Sequence, residues 1–302
     1  MNARQIVLLL AALVAIAAAL WLGRTPGPTV TTNNEVLTGL KAALNDVNEV
    51  VIARGDGPKV TLMRSADAWI VVERGYTADV AKLRRLLLDL SALTVIEAKT
   101  SNPQHHARLG VEDMAAAGAI GTRVDVTAGE AKFSLIVGKN AAGSGVYVRE
   151  AQGKQALLMK PDLTIDTDPK LWLDRRLLDI APERLAELEV TPASGRRYSF
   201  KAEENSEWKS ALKDLRFDDV AKTDTGAEPT SRQQASYRTT DGLAITISGR
   251  EAGDDRWITL AAGASPDAAA IQAEAQKLAA RLAGFEFQIA PYTYDRLFPE
   301  RD

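Results

Sequence analysis

Residues 185–200 of this chain overlie residues 47–62 at a constant offset of 138, and that register limits the fold more than any other feature. Leu185-Ala-Glu-Leu-Glu-Val190 falls over Val47-Asn-Glu-Val-Val-Ile52, Gly195 over Gly57, and Tyr198-Ser-Phe200 over Val60-Thr-Leu62. One inserted residue then sets Trp208 over Trp69. Leu212, Leu215 and Phe217 follow over Leu90, Leu93 and Val95, with about seventeen residues deleted from the second copy. A repeated supersecondary unit is the simplest source of such a register. In the first copy, alternation over 47–52 and 59–63 about a Gly55-Asp56-Gly57-Pro58 turn predicts a hairpin, with a third strand over 69–72. Thr77 then offers an N-cap, and Val80, Leu83, Leu87, Leu90 and Leu93 recur at helical spacing, which predicts an amphipathic helix over 78–91.

Each copy continues in β-rich sequence: 124–127, 133–137 and 146–149 in the first, 243–248 and 257–260 in the second. Each then closes with a predicted helix. Asp168-Pro169 caps one over 170–178, and Ser265-Pro266-Asp267 starts another that runs to Ala283 and stops at Gly284. Phe285, Phe287 and Ile289 alternate in a last strand. The expected class is α+β, two duplicated antiparallel β-sheet modules with packed helices, over residues 36–180 and 181–302.

Ahead of the repeats, an unbroken apolar run from Ile6 to Leu22 is bracketed by Arg4 and Arg24. As a helix it spans about 26 Å, close to the hydrocarbon thickness of a bilayer. Ala17 and Ala19 could serve a signal peptidase. The run continues past them through Leu20, Trp21 and Leu22, however, so an uncleaved anchor over 1–24 is expected, followed by a polar tether over 25–35. Both readings put the bulk of the chain outside the cytoplasm. With no cysteine, an exported domain is held by its core alone and carries neither disulfide nor thiolate metal site. A net charge of −3 and scattered arginine pairs give no field for nucleic acid.

Signals of chemistry are thin. His105 and His106 are adjacent, so their side chains diverge, and they read as exposed polar residues on a short helix capped by Asn102 and ended by Gly110. Asp162, Asp166 and Asp168 lack the ligand register of a Ca²⁺ loop, and Asp168 is more simply a helix cap. Asp218-Asp219 and Asp254-Asp255 read as solvated turn charges. Ser206-Glu-Trp-Lys209 and Ser210-Ala-Leu-Lys213 fit S-x-x-K without its companion motifs, and no Walker A, G-x-S-x-G or G-x-G-x-x-G sequence occurs. The expectation is a protein that is not an enzyme, with no cofactor, no metal and no catalytic residue.

Trp69-Ile-Val-Val with its leucine-rich helix, Arg108-Leu-Gly-Val111, Leu135-Ile-Val-Gly138, Tyr147-Val-Arg149, Trp172-Leu-Asp-Arg-Arg-Leu-Leu178 and Phe287-Gln-Ile-Ala-Pro-Tyr292 follow one another in a characteristic order. In that order the chain resembles a bacterial family catalogued as domain of unknown function 4340, often encoded beside ABC transporters of the gliding-motility type. One departure is Glu112-Asp-Met-Ala, where the family usually has a proline soon after the Leu-Gly turn. The resemblance implies an envelope protein of the bacterial inner membrane, single-pass, with most of the chain in the periplasm. It also implies an accessory role beside ABC permease and ATPase subunits and associated envelope proteins, and it transfers no catalytic residue. A lipid- or glycan-binding module holding its ligand between the two halves is the alternative. The candidate interface residues are Trp172, Asp174, Arg175 and Arg176, with Tyr292 and Tyr294, since aromatic anchors beside arginines are the chemistry of interface hot spots. Against this stands plain packing of Trp172 on its own sheet and of the two tyrosines at an edge.

Overall fold

The computed structural model describes residues 37–55, 57–66, 68–201, 207–223 and 233–300. The expected membrane anchor, the tether, Asp56 in the hairpin turn and Ser206 lie outside these residues. Among the described residues no helix is long and apolar enough to cross a membrane.

The first part of the chain forms α1 (Leu40–Ala43), β1 (Val47–Ala53), β2 (Lys59–Ser65), β3 (Ala68–Val71), β4 (Tyr76–Thr77), α2 (Val80–Ser91), β5 (Thr94–Thr100), α3 (His106–Leu109), β6 (Thr122–Ala128), β7 (Ala131–Asn140), β8 (Val146–Glu150) and β9 (Ala156–Lys160). The second forms β10 (Arg176–Leu178), β11 (Leu185–Thr191), β12 (Tyr198–Lys201), β13 (Leu215–Arg216), β14 (Asp219–Lys222), β15 (Gln233–Thr239), β16 (Leu243–Ala252), β17 (Asp255–Ala264), α4 (Ala269–Leu282), β18 (Phe285–Ile289) and α5 (Pro291–Leu297). These are mostly antiparallel sheets with several helices, an α+β architecture.

Strand order in the larger sheet is β4-β3-β2-β1-β6-β7-β8-β9-β5, and in the smaller β12-β11-β15-β16-β17-β18-β14. From β2 onward the two orders are the same, strand for strand. The pairing register repeats too. Val50 faces Leu62 as Leu188 faces Phe200, and Ile52 faces Val60 as Val190 faces Tyr198, each at the offset of 138 seen in the sequence. A register irregularity between Val47 and Glu49 on β6 recurs between Leu185 and Glu187 on β15. Because side chains alternate faces, a shared register puts equivalent residues on equivalent faces, and Val50, Ile52, Leu188 and Val190 are all fully buried.

α2 begins at Val80, capped by Asp79, whose side chain accepts from the Lys82 N–H at 3.0 Å; Thr77, the expected cap, lies in β4. Leu83, Leu86, Leu87 and Leu90 face inward. The helix expected over 170–178 is absent. Asp168 caps a single 3-10 turn, Pro169–Trp172, by accepting from the Lys170 N–H. The chain then extends, because its backbone is claimed by strands: Asp174 N–H donates to Thr77 O at 3.0 Å, Leu173 bridges Ala78, and β10 pairs with β13. Sheet pairing here overrides helix propensity. At the other end, Pro291-Tyr-Thr-Tyr294 is not an edge segment but the first turn of α5, with Pro291 at N1.

One hydrophobic core runs through both halves. At its seam the ring of Tyr76 meets Phe217, Phe285 and Phe287 edge-on at centroid distances of 5.5, 5.1 and 5.4 Å. Beside them Asp219 is buried in β14, not solvated in a turn. It accepts from Arg74 Nε at 2.7 Å and Nη2 at 3.2 Å, and lies 3.2 Å from Lys170 Nζ. Burial pushes the Asp219 carboxyl up, but the Arg74 guanidinium, the Val220 N–H and Lys170 outweigh burial and hold it below its ordinary 3.8. A carboxyl depressed in the fold contributes stability that is complete above its unfolded value and is lost as pH falls through its folded one. Denaturation midpoints taken from about pH 5 down to about pH 2 should therefore fall on acidification, and less steeply in Asp219→Asn than in the wild type.

Candidate functional site

The sequence-predicted interface residues separate in space. Trp172 is 2% exposed; its Nε1–H donates to Asp166 O at 3.0 Å and Lys82 Nζ sits 4.7 Å above its ring. Tyr294 is also 2% exposed and meets Phe298 at a tilt, centroids 4.8 Å apart, over the space that a Cβ on Gly249 would fill. Both side chains hold the fold together and present nothing to a partner. Tyr292, one residue into α5, points the other way and is 68% exposed.

Tyr292 and Arg175 instead meet across a groove of about 280 Å³, where the β10–β13 ribbon faces the start of α5. Arg175 is fixed from two sides: Nε–H donates to Phe217 O at 2.7 Å, and Nη2 donates to the Asp218 carboxylate. Phe217 N–H returns a bond to Arg175 O at 3.1 Å, so the guanidinium is locked onto the strand it neighbours. Asp214, in a left-handed turn at φ 46, accepts from Arg216 Nε at 3.0 Å and lies 3.2 Å from Arg176 Nε. The Arg216 hydrogen bond, with Arg176 beside it, holds the Asp214 carboxyl below its ordinary value. Asp174 is exposed nearby, its carboxylate 3.5 Å from the Arg176 N–H.

Lys213, Arg216 and Arg296 complete the cationic wall, with Arg296 donating to Ser210 O at 2.7 Å. Sequence reasoning missed these three, because they are single charges from separate segments; the doubled Arg175-Arg176 was the visible signal. With Arg175 the groove sets four cations against Asp214 and Asp218 around an exposed phenol. Such a surface recognises an acidic or carbonyl-rich group laid beside an aromatic ring. Ser210, the serine of the second S-x-x-K match, lies outside the groove lining and donates its Oγ–H to Glu207 O.

The other candidates resolve into structural roles. His106 is a correction: it is 4% exposed, with Nε2 2.9 Å from Lys154 O, so it pins α3 to the β8–β9 turn instead of facing solvent. The Asn102 cap and the left-handed Gly110 are present as expected. Asp162 accepts from the Gly145 N–H, and Asp166 pairs with Lys82 at 2.5 Å. Among the described residues no group of three His, Cys, Asp or Glu side chains is arranged to hold a metal ion.

A second groove, of about 450 Å³, lies between the halves and is walled by Glu73, Arg74, Asp219, Lys222 and Trp257. A third, of about 360 Å³, runs along the outside of α2. Three of the short sequence signatures converge on one node. The Leu109 and Gly110 carbonyls rest where a Cβ on Gly138 would stand, and Arg149 donates to Val111 O at 2.7 Å.

A family model, Domain of unknown function (DUF4340), matches residues 69–236, more than half of the chain. The protein belongs to this family. The match begins at Trp69 on β3 and ends within β15, so it takes in the Arg149 node, Trp172 and the β10–β13 wall of the Tyr292 groove. Tyr292 and Arg296 lie beyond it. No curated protein and no solved structure matches the chain.

Proposed function

We propose that this member of the domain of unknown function 4340 family works by binding: a periplasm-facing accessory subunit, anchored by residues 1–24, of an ABC-type transporter complex of the gliding-motility type. One observation carries the binding surface. Tyr292 is 68% exposed in a groove whose three arginines, Arg175, Arg216 and Arg296, are held in place by carboxylates and carbonyls, with Lys213 beside them. Pre-paired arginines lose little freedom on binding, and an aromatic ring framed by arginine is where interface energy concentrates. The apolar run from Ile6 to Leu22 supports residence in the same membrane as a transporter, and the family resemblance supplies the class of partner. The groove between the halves mixes the charges of Glu73, Arg74, Asp219 and Lys222 with Val72, Val220 and Trp257, and the seam beside it is filled by aromatic rings, which supports the accessory-subunit reading less directly than the Tyr292 groove does.

The test is a gentle-detergent pull-down of the tagged full-length chain from its native membrane. Recovery of an ABC permease and ATPase in stoichiometric amounts is the expected result. The double substitution Tyr292→Ala, Arg216→Glu should weaken that recovery by about 2 kcal/mol or more, roughly thirtyfold, while leaving the thermal midpoint within a few degrees. Recovery of the wild-type chain alone would overturn the accessory-subunit reading.

A further inference from the structure

Helix α2 buries one face in the core and leaves a second apolar stripe uncovered. Val80, Arg84 and Leu88 follow at i, i+4 and i+8, hence on one side of the helix, and Val80 and Leu88 are 44% and 49% exposed. They border the groove of about 360 Å³ along α2, whose inner wall is Leu44 and Trp69 and whose rim carries Arg64 and Arg84. Among the described residues no carboxylate lines it. Arg64 reaches the Asn45 carbonyl, at 3.4 Å, and among the described residues neither Arg64 nor Arg84 has an ion pair. Exposed Lys41 adds a third cation on α1, which packs beside α2.

This stripe sits at the point where the chain enters the domain. Leu37 and Leu40 are buried, so the entry is fixed, and Leu44 in the groove wall is only seven residues further on. Fourteen residues separate Leu37 from the end of the apolar run at Leu22. A flexible linker of that length has a root-mean-square reach of about 20 Å. If that run lies in a bilayer, the groove is held at the bilayer surface at a high effective concentration. The intervening residues 23–36 are mostly polar, Gly and Pro, with Val30 and Val36 as their two branched apolar side chains.

We infer that the outer face of α2, with Arg64, Arg84 and Trp69, is a lipid-contact surface that lays the domain against an anionic phospholipid bilayer. Two branched apolar side chains and a half-buried indole flanked by arginines, free of carboxylates, match the boundary between headgroups and acyl chains. The inference rests on the membrane-anchored reading proposed above, and the experiment separates the two.

The chain has no cysteine, so single labels are unambiguous. Full-length Leu88→Cys and Ile120→Cys each carry an environment-sensitive fluorophore; Ile120 is 47% exposed beside Arg54, at the opposite end of β1 from the α2 groove. Both are reconstituted in phosphatidylcholine vesicles, with and without phosphatidylglycerol, containing a lipid that carries a quencher on its acyl chain. The expected result is severalfold stronger quenching at position 88 than at 120 when phosphatidylglycerol is present. Arg64→Glu and Arg84→Glu should each shift the docked-to-undocked ratio about fivefold or more toward undocked. Equal quenching at both positions, or quenching at 88 indifferent to phosphatidylglycerol and to charge reversal, overturns the inference while vesicle flotation leaves the anchor standing. A position-88 label already shielded before any lipid is added means that the chain itself or a second copy covers the groove, which also overturns it. Failure of the full-length chain to float with vesicles overturns both readings.

Discussion

Replacing Arg149 with methionine should destabilise the protein by about 3–5 kcal/mol, the largest loss expected from any single charged side chain here. The side chain is 3% exposed and spends its donors on backbone: Nε on Val111 O at 2.7 Å, and Nη1 on Gly153 O at 2.6 Å, with Ala151 O and Glu150 O at 3.3 and 3.4 Å. Methionine keeps the apolar stem and leaves these carbonyls without a donor, and an abandoned buried polar group costs about 1–3 kcal/mol. Nη2 also pairs with Asp113 at 2.6 Å, but that carboxylate is 78% exposed, so the ion pair itself is worth little. Asp113→Ala should accordingly shift the urea midpoint by no more than about 0.5 kcal/mol equivalent. The contrast decides between the two accounts of Arg149: if the two variants lose similar amounts, its role is the ion pair and not the carbonyl cage. Loss should reach the small satellite core of Val111, Ile136 and Ala156, which the caged loop closes over.

The same residue shows where sequence reading runs out. Arg108-Leu-Gly-Val111, Leu135-Ile-Val-Gly138 and Tyr147-Val-Arg149 are visible as three separate strings, and their order carries the family resemblance. That they are one object follows only from the β7–β8 register, which sets Ile136 against Arg149 and brings both under the loop. Local periodicity served well wherever one face is buried and the other wet. The β1–β2 hairpin, the body of α2, the strand ending at Ile289 and the 138-residue register all followed from alternation or helical spacing. It failed where a segment's backbone is used by distant chain. Residues 173–178 carry leucines at spacings compatible with a helix, yet Thr77, Ala78 and Leu215 supply strand partners that no local window contains. For Trp172 and Tyr294 the sequence left an interface anchor and a packed side chain side by side, since an indole or phenol reads alike facing a core or a partner, and the structure buries both. Asp219 looked like half of a solvated pair because Arg74 and Lys170, the cations that hold it, lie 145 and 49 residues away.

Phe287→Ala should cost about 3–5 kcal/mol and should loosen both halves together. Phe287 is fully buried on β18, and its ring lies 5.4 Å from Tyr76, 5.1 Å from Phe217 and 6.4 Å from Phe285. Tyr76 belongs to β4, the edge of the larger sheet, whereas β14 and β18 belong to the smaller. The cavity left by the ring therefore opens at the seam and not inside either sheet, and neighbours drawn from two sheets cannot close on it without moving one sheet against the other. The Arg74–Asp219 pair crosses the same seam at 2.7 Å and leaves solvent only a partial share of each side chain, so it resists that movement. A continuous core joined this way makes unfolding cooperative, because opening the seam exposes apolar side chains of both sheets at once. Circular dichroism and the fluorescence of variants that keep only Trp172, in the first half, or only Trp208, in the second, should thus report coincident denaturation curves, shifted as one when Phe287→Ala is added. Curves that separate in the variant, with one tryptophan still protected after the other is lost, would show instead that each repeat carries a core able to stand alone.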